Sequence, residues 1–168
     1  ANTFAYAHSI PLLLSDPLGL DPRLFSLPLE GKAPVRGRGG RRPLTAADRR
    51  LFDEAVLLAR QKFRECECTC PDPGRGYCFQ QEDKDAILEM FEQTDFYYDG
   101  NWRPGAGSGL RYEPLGALLY REAFTNGLDW LAATLIHESV HRTGRRFSDE
   151  PTAYLIDDRC FGFQNYAK

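Results

Sequence analysis

The chain lacks any apolar run that approaches the ~20 residues a membrane-spanning helix needs, and no signal peptide is visible in it. It also lacks a strong charge of either sign, because 21 Lys and Arg stand against 24 Asp and Glu, for a net charge of -3. Such a balance excludes a global field that would attract nucleic acid or anionic lipid. We therefore expect neither nucleic acid nor a membrane span for this chain.

Histidine is scarce as well, with three residues in 168, and the first residue is Ala rather than Met. From that first residue we expect a fragment or a processed product. A hydrophobic content of 42% is that of a globular protein of about one domain. We expect the compact domain over 44–168, and a linker or arm rich in Pro, Gly and Arg over 21–43.

Capping signals and apolar periodicity predict several helices around a short strand-rich region. Thr45 and Asp48 make a capping box ahead of the first helix. The stretch from Phe96 to Phe124 is aromatic and β-favouring, and its Gly- and Pro-rich turns predict a small antiparallel sheet. The expected fold class is therefore α+β. The predicted helices span about 46–65, 82–93, 128–143 and 150–161.

Two of the three histidines lie four residues apart, around a glutamate, in the stretch TLIHESVH (134–141). On a helix such residues share a face one turn apart, so His137 and His141 point the same way. Two neutral imidazoles in this arrangement can take two corners of a tetrahedral Zn²⁺. Glu138 lies beside them, and it can take a proton from water at the metal and pass it to a leaving amine.

A catalytic zinc needs a third protein ligand and an open position. We expect the histidine-bearing helix to stop at Gly144, and the first carboxylates beyond it are Asp149 and Glu150. We choose Glu150 as the third ligand, since it opens the last helix with Tyr154 one turn on. Asp149 remains the alternative ligand, or otherwise a helix cap.

The stretch TLIHESVHRTG, followed by DEPTAY, resembles the zincin metallopeptidases, which share an active-site helix beneath a small sheet. The resemblance implies a zincin-like fold with flanking helices and Zn²⁺ as the cofactor. It also implies His137 and His141 as zinc ligands and Glu138 as the general base. In such a site Tyr154 can donate to a developing oxyanion, and the alternative is a packing tyrosine.

Four of the five cysteines crowd into ECECTCPDPGRGYC (65–78). A C-x-C-x-C run lacks the C-x2-C spacing typical of structural zinc, so disulfides are favoured over a second metal site. We expect one bridge from Cys160 to the cluster, which would pin the last helix to the first, while the exact pairing stays open. Disulfides favour a periplasmic or extracellular working place. The candidates are Cys66, Cys68, Cys70, Cys78 and Cys160.

A second resemblance covers about the first twenty residues. FAYAHSIPLLLSDPLGLDP (4–22) resembles the end of the core region of Rhs/YD-repeat proteins, where a P-x4-D-P-x-G-L signature precedes a variable C-terminal toxin domain. The resemblance assigns 1–20 to that core, and it implies self-cleavage between Leu20 and Asp21 with the toxin held inside the repeat shell. The residues that match the signature are Pro11, Asp16, Pro17, Gly19 and Leu20.

These patterns together predict a zinc-dependent endopeptidase toxin, a secreted effector of interbacterial competition of the type VI class. The implied partners are the Rhs shell of the same polypeptide, a cognate immunity protein, and a protein or peptide substrate in the target cell, with the periplasm favoured over the cytoplasm. An extended substrate would pair with the edge of the strand DFYYDG (95–100) or ALLYREAF (117–124). The alternatives are a non-catalytic binding module stapled by zinc or disulfides, and an amidase acting on peptidoglycan stem peptides.

Overall fold

The structure, a computed structural model, describes residues 22–27, 42–67, 81–100, 109–112, 116–144 and 150–163, which contain both helices and strands. The mixture confirms the predicted combination of helices with a small sheet. The elements, in chain order, are β1 (Arg23–Ser26), α1 (Ala46–Glu65), α2 (Gln81–Gln93), β2 (Asp95–Asp99), β3 (Gly109–Tyr112), β4 (Gly116–Tyr120), α3 (Arg121–Thr125), α4 (Leu128–Arg142) and α5 (Glu150–Phe161).

The strands form one mixed sheet in the order β1-β2-β4-β3. β1 pairs with β2 and β2 with β4 in parallel, whereas β3 and β4 are antiparallel. The prediction of an antiparallel sheet is therefore wrong for two of the three strand pairs. It failed because β4 returns from its pairing with β3 into the place beside β2, where it runs in the same direction as β2. Local turn signals predict a hairpin, but they do not predict which strand lies on its other side.

Two segments differ from their predicted state. Residues 23–26, expected within a linker, form the edge strand β1, with Leu24 opposite Phe96. Residues 121–125, expected to continue a strand, form the short helix α3, which suits the helix-favouring Arg-Glu-Ala of that stretch. The sheet order also places β2 and β4 in the interior of the sheet. Neither strand offers the free edge that was expected to receive a substrate.

The helix boundaries follow the sequence signals closely. The capping box of α1 is present, because the Asp48 amide donates to Thr45 Oγ1 at 3.1 Å and the Thr45 amide donates to Asp48 Oδ2 at 2.8 Å. α4 ends at Arg142, and Gly144 follows with a φ of +62°. Only glycine adopts that conformation without a steric penalty, so the predicted stop at Gly144 is confirmed.

α4 is the central helix of the domain. It contacts α1, α2, α3 and α5 as well as strands β3 and β4. Residues 131–136 and 138–140 are all buried, which is the pattern of a helix covered on every side. Across the core, Phe52 of α1 meets Phe96 of β2 edge to face. Within the described ranges, none of the helices has both the length and the apolar character needed to cross a membrane.

α5 is attached to this core in two ways. Its apolar residues Ala153, Ile156 and Phe161 are buried in the core. A disulfide joins Cys66, just after α1, to Cys160 near the end of α5, across a separation of 94 residues. The predicted bridge from Cys160 to the cysteine cluster is thus confirmed, with Cys66 as the partner. Cys68, Cys70 and Cys78 lie outside the described residues.

Candidate metal centre

The two histidines of α4 and the first residue of α5 come together at one point. The Nε2 atoms of His137 and His141 lie 3.2 Å apart. Glu150 places Oε2 3.4 Å from Nε2 of His137 and Oε1 3.6 Å from Nε2 of His141. The three side chains thus form a group that could hold a metal ion. This grouping confirms that the residues predicted as ligands converge, Glu150 included.

The spacing of these atoms can be compared with a real coordination sphere. Ligand atoms ~2.0–2.1 Å from a tetrahedral zinc lie about 3.3–3.4 Å from one another. The 3.2 Å between the two Nε2 atoms, and the 3.4 and 3.6 Å from them to two different oxygens of Glu150, are close to that edge length. The Glu150 side chain is 58% exposed, whereas the imidazoles are largely buried. The group therefore fits a tetrahedral ion with three protein ligands and solvent on the side of Glu150.

The electrostatics of the site favour a cation. Burial opposes a charge on His137, but hydrogen bonds to Asp157 and Glu150 outweigh it and raise the pKa of His137 to about 10. The same hydrogen bond to His137 lowers the pKa of Glu150. In the metal-free protein a proton on His137 thus balances the neighbouring carboxylates. A divalent cation bound between the ligand atoms would take over that role.

Glu138 is the most deeply buried acid of the site, with 3% of its surface exposed. Its Oε2 atom has no hydrogen-bond partner within the described part of the chain. Burial raises the pKa of Glu138 to about 7, and the negative charges of Glu150 and Asp157 act in the same direction. The positive charge of His137 opposes this rise and only partly offsets it. A carboxyl group that titrates near neutral pH is well suited to accept and return a proton.

Tyr154 lies at the exposed rim of the same site. Its ring centroid is 5.3 Å from that of His137, and its hydroxyl hydrogen-bonds to the carboxylate of Glu150. The side chain is one of the few large apolar groups on the described surface, at 36% exposure. A hydroxyl at this position can donate to an oxygen atom that develops negative charge beside the ligand group.

One residue of the site was not found from the sequence. Asp157 of α5 places Oδ2 2.7 Å from Nδ1 of His137. The available signal was the spacing of Glu150, Tyr154 and Asp157, at positions i, i+4 and i+7, which puts all three on one face of a helix. That pattern does not say which histidine nitrogen the aspartate meets, because the answer depends on how α5 packs against α4.

Of the remaining predicted positions, the alternative ligand Asp149, the junction residues Leu20 and Asp21 and the other signature residues also lie outside the described residues. Searches against protein-family models, curated proteins and solved structures find no match to this chain.

Proposed function

We propose that this chain is a zinc-dependent peptidase of the zincin type. The observation that carries the proposal is the meeting of His137, His141 and Glu150 at tetrahedral spacing, directly beside the buried acid Glu138. A purely structural zinc site usually has four protein ligands, whereas a catalytic one keeps a position open for water or substrate. Three ligands with exposure on one side favour the catalytic kind.

The residues of the site divide the work of amide hydrolysis. Zinc, when bound, supplies a Lewis acid that polarises a carbonyl and makes water more acidic. Glu138 would take the proton from the attacking water and then deliver it to the leaving amine, so that no proton is lost overall. Tyr154 would turn its single hydroxyl proton away from Glu150 and donate it to the carbonyl oxygen as negative charge develops there. The proton acceptor that these roles need is Glu138, which is buried and directly follows the ligand His137 in the chain.

An extended peptide would bind by pairing with an edge strand. The sheet has β1 at one edge and β3 at the other. Of these two strands, β3 is in contact with α4, the helix that carries the two histidines. We therefore infer that β3, and not β2 or β4, receives the substrate backbone. The strands expected to offer that edge, β2 and β4, lie in the interior of the sheet.

We further propose that the peptidase is the toxin of an Rhs-type polypeptide. The signature over 11–20 supports this, with cleavage between Leu20 and Asp21. β1 begins at Arg23, so a chain released at that junction keeps its edge strand. The cysteine bridge supports action in an oxidising place such as the periplasm. In this account a cognate immunity protein protects the producing cell.

The replacement Glu138→Gln tests the catalytic role. It keeps the shape of the side chain and leaves the three ligands in place, but it removes the proton acceptor. We expect peptide hydrolysis to fall by roughly 10²–10⁴-fold with the zinc content unchanged, and toxicity to disappear when the chain is directed to the periplasm of a bacterial host. Hydrolysis is measured on a degenerate fluorogenic peptide pool, and killing is measured by colony counts.

Glu122→Gln is the matched control. Glu122 also has a carboxyl oxygen without a partner among the described residues, and burial raises its pKa, but it is not part of the ligand group. We expect this variant to hydrolyse peptides and to kill like the wild type. If the Glu138 variant kills as well as the wild type, the chain is a binding module and not a peptidase. A third outcome is a wild-type chain that kills but cleaves no peptide, together with a Glu138 variant that does not kill. That outcome would point to a peptidoglycan amide as the substrate.

A further inference from the structure

α5 directs a second carboxylate at the site, and it reaches the side of His137 that faces away from the ligand group. Asp157 Oδ2 lies 2.7 Å from Nδ1 of His137, while Nε2 of the same ring lies 3.2 Å from His141. Both partners of the Asp157–His137 contact are largely buried, with side chains 12% and 13% exposed. The contact is therefore shielded from competing water, which strengthens it.

A neutral imidazole carries its proton on one nitrogen and offers a lone pair on the other. A carboxylate can only accept a hydrogen bond, so the nitrogen that faces Asp157 must be the one that keeps the proton. When a cation displaces the second proton of the His137 ring, Nε2 is left with its lone pair, and it is Nε2 that points towards His141 and Glu150. Asp157 thus selects the tautomer that can bind a cation, and it also fixes the rotation of the ring.

The surroundings of Asp157 indicate that stability alone does not account for its presence. Its second oxygen, Oδ1, is buried and has no hydrogen-bond partner in the described ranges. A buried carboxylate that is only partly satisfied is unfavourable for folding, and an apolar side chain of similar volume is often at least as stabilising. Asp157 lies two turns beyond Glu150 on the same face of α5, so the helix that supplies a ligand also brings this second carboxylate to the site.

We propose that Asp157 is a positioning residue, which holds His137 with its proton on Nδ1 and so sets the affinity of the site for its metal ion. The proposal rests on the metal-binding part of the proposed function, and it does not require peptidase activity. α5 then makes two contributions to the centre, since Glu150 binds the ion directly and Asp157 orients a ligand on α4. The affinity for the metal depends on the packing of α5 against α4.

The replacement Asp157→Asn tests this role. The amide is close in size to the carboxylate, but its NH₂ group can donate to Nδ1 and thereby stabilise the tautomer with the proton on Nε2. Loss of such an orienting partner typically weakens metal binding by about 10–100-fold, and we expect a zinc Kd weaker by that factor in competition with a chromophoric chelator. Asp158→Asn, at the exposed neighbouring position on α5, is the control and should stay within about twofold of the wild type. A Kd for the Asp157 variant within twofold of the wild type would overturn the proposal.

A measurement on the unaltered chain guards against a variant that fails to fold. Long-range ¹⁵N–¹H spectra of the zinc-loaded protein report which nitrogen of each histidine is protonated. The proposal requires the proton of His137 on Nδ1 and the metal on Nε2, and the reverse assignment refutes it whatever the variants do. The outcomes also separate the two proposals. If the Asp157 variant binds zinc more weakly but the wild type cleaves no peptide, the role of Asp157 stands and the peptidase proposal fails. If the Asp157 variant binds zinc like the wild type and the wild type cleaves peptides, the peptidase proposal stands and the role of Asp157 fails. A wild-type chain that binds no zinc overturns both.

Discussion

Among single residues, His137 has polar neighbours at both ring nitrogens. Asp157 contacts one of them, and His141 and Glu150 lie beside the other. A spacing of four residues puts His137 and His141 on one face of a helix, so the sequence alone predicts that pair, with Glu138 next to His137 in the chain. Asp157 belongs to another helix, so its contact with His137 depends on tertiary packing and could not be predicted in the same way.

The metal-free protein should lose stability as the pH rises. Folding raises the pKa of His137 from 6.5 to about 10, so its contribution is fully present below pH 6.5 and is lost as the pH rises through about 10. Folding also raises the pKa of Glu138 from 4.5 to about 7, so its contribution is lost between those values in the same direction. With metal removed by a chelator, we expect the urea midpoint to fall between pH 7 and pH 10.

The variant His137→Asn is the control for that slope, because it removes the group that titrates in this window. It should show a flatter dependence of the urea midpoint on pH than the wild type. An equal slope in both proteins would mean that other groups cause the loss. Zinc binding needs a neutral imidazole, so the affinity for zinc should instead increase with pH over the same range.

At the scale of elements, α5 links the metal centre to the rest of the fold. It carries Glu150, Tyr154 and Asp157 on one face, and Cys160 binds it to the end of α1. Lys84 of α2 donates to the carbonyl oxygen of Cys66 at 2.8 Å, so the other half of the bridge is also fixed in place. The four long helices were predicted from the sequence because their caps and periodicity are local signals. The direction of β4 relative to β2 was not predicted, since it depends on a strand that is distant in the chain.

Breaking the bridge should weaken both the fold and the metal centre. Closing a span of 94 residues stabilises the folded state by at most about 4.7 kcal/mol in the chain-entropy model. We expect Cys160→Ser to lower the free energy of unfolding by up to that amount and to weaken zinc binding, because α5 is then held by packing alone. Cys68→Ser leaves the Cys66–Cys160 bridge intact and should have the smaller effect on both quantities.

Thiol counting in denaturant, without reductant, checks the bridge directly. Five cysteines less the two in this disulfide leave at most three free thiols. Five free thiols in protein from an oxidising compartment would contradict the bridge. Equal free energies of unfolding for the Cys160 and Cys68 variants would show that the Cys66–Cys160 disulfide does not stabilise the attachment of α5.

At the scale of the whole molecule, the sheet includes residues whose composition is that of a linker. The Pro-, Gly- and Arg-rich stretch resembles a linker, yet Arg23–Ser26 completes the sheet and Arg23 pairs with Asp95 of β2 through two hydrogen bonds. Composition describes a segment only on average. It therefore does not predict that four residues of the segment pair with a strand about seventy residues away in the chain. In the toxin proposal this strand stays with the released part, since it follows the junction between Leu20 and Asp21.

If His137, His141 and Glu150 hold a zinc ion, elemental analysis of the purified domain will detect it. We expect about one zinc per chain, as for a single mononuclear site. We also expect His141→Ala to lose the metal and Glu138→Gln to keep it. A folded wild-type chain that holds no zinc after incubation with excess Zn²⁺ would refute the zinc site, as would a His141 variant that retains the full zinc content.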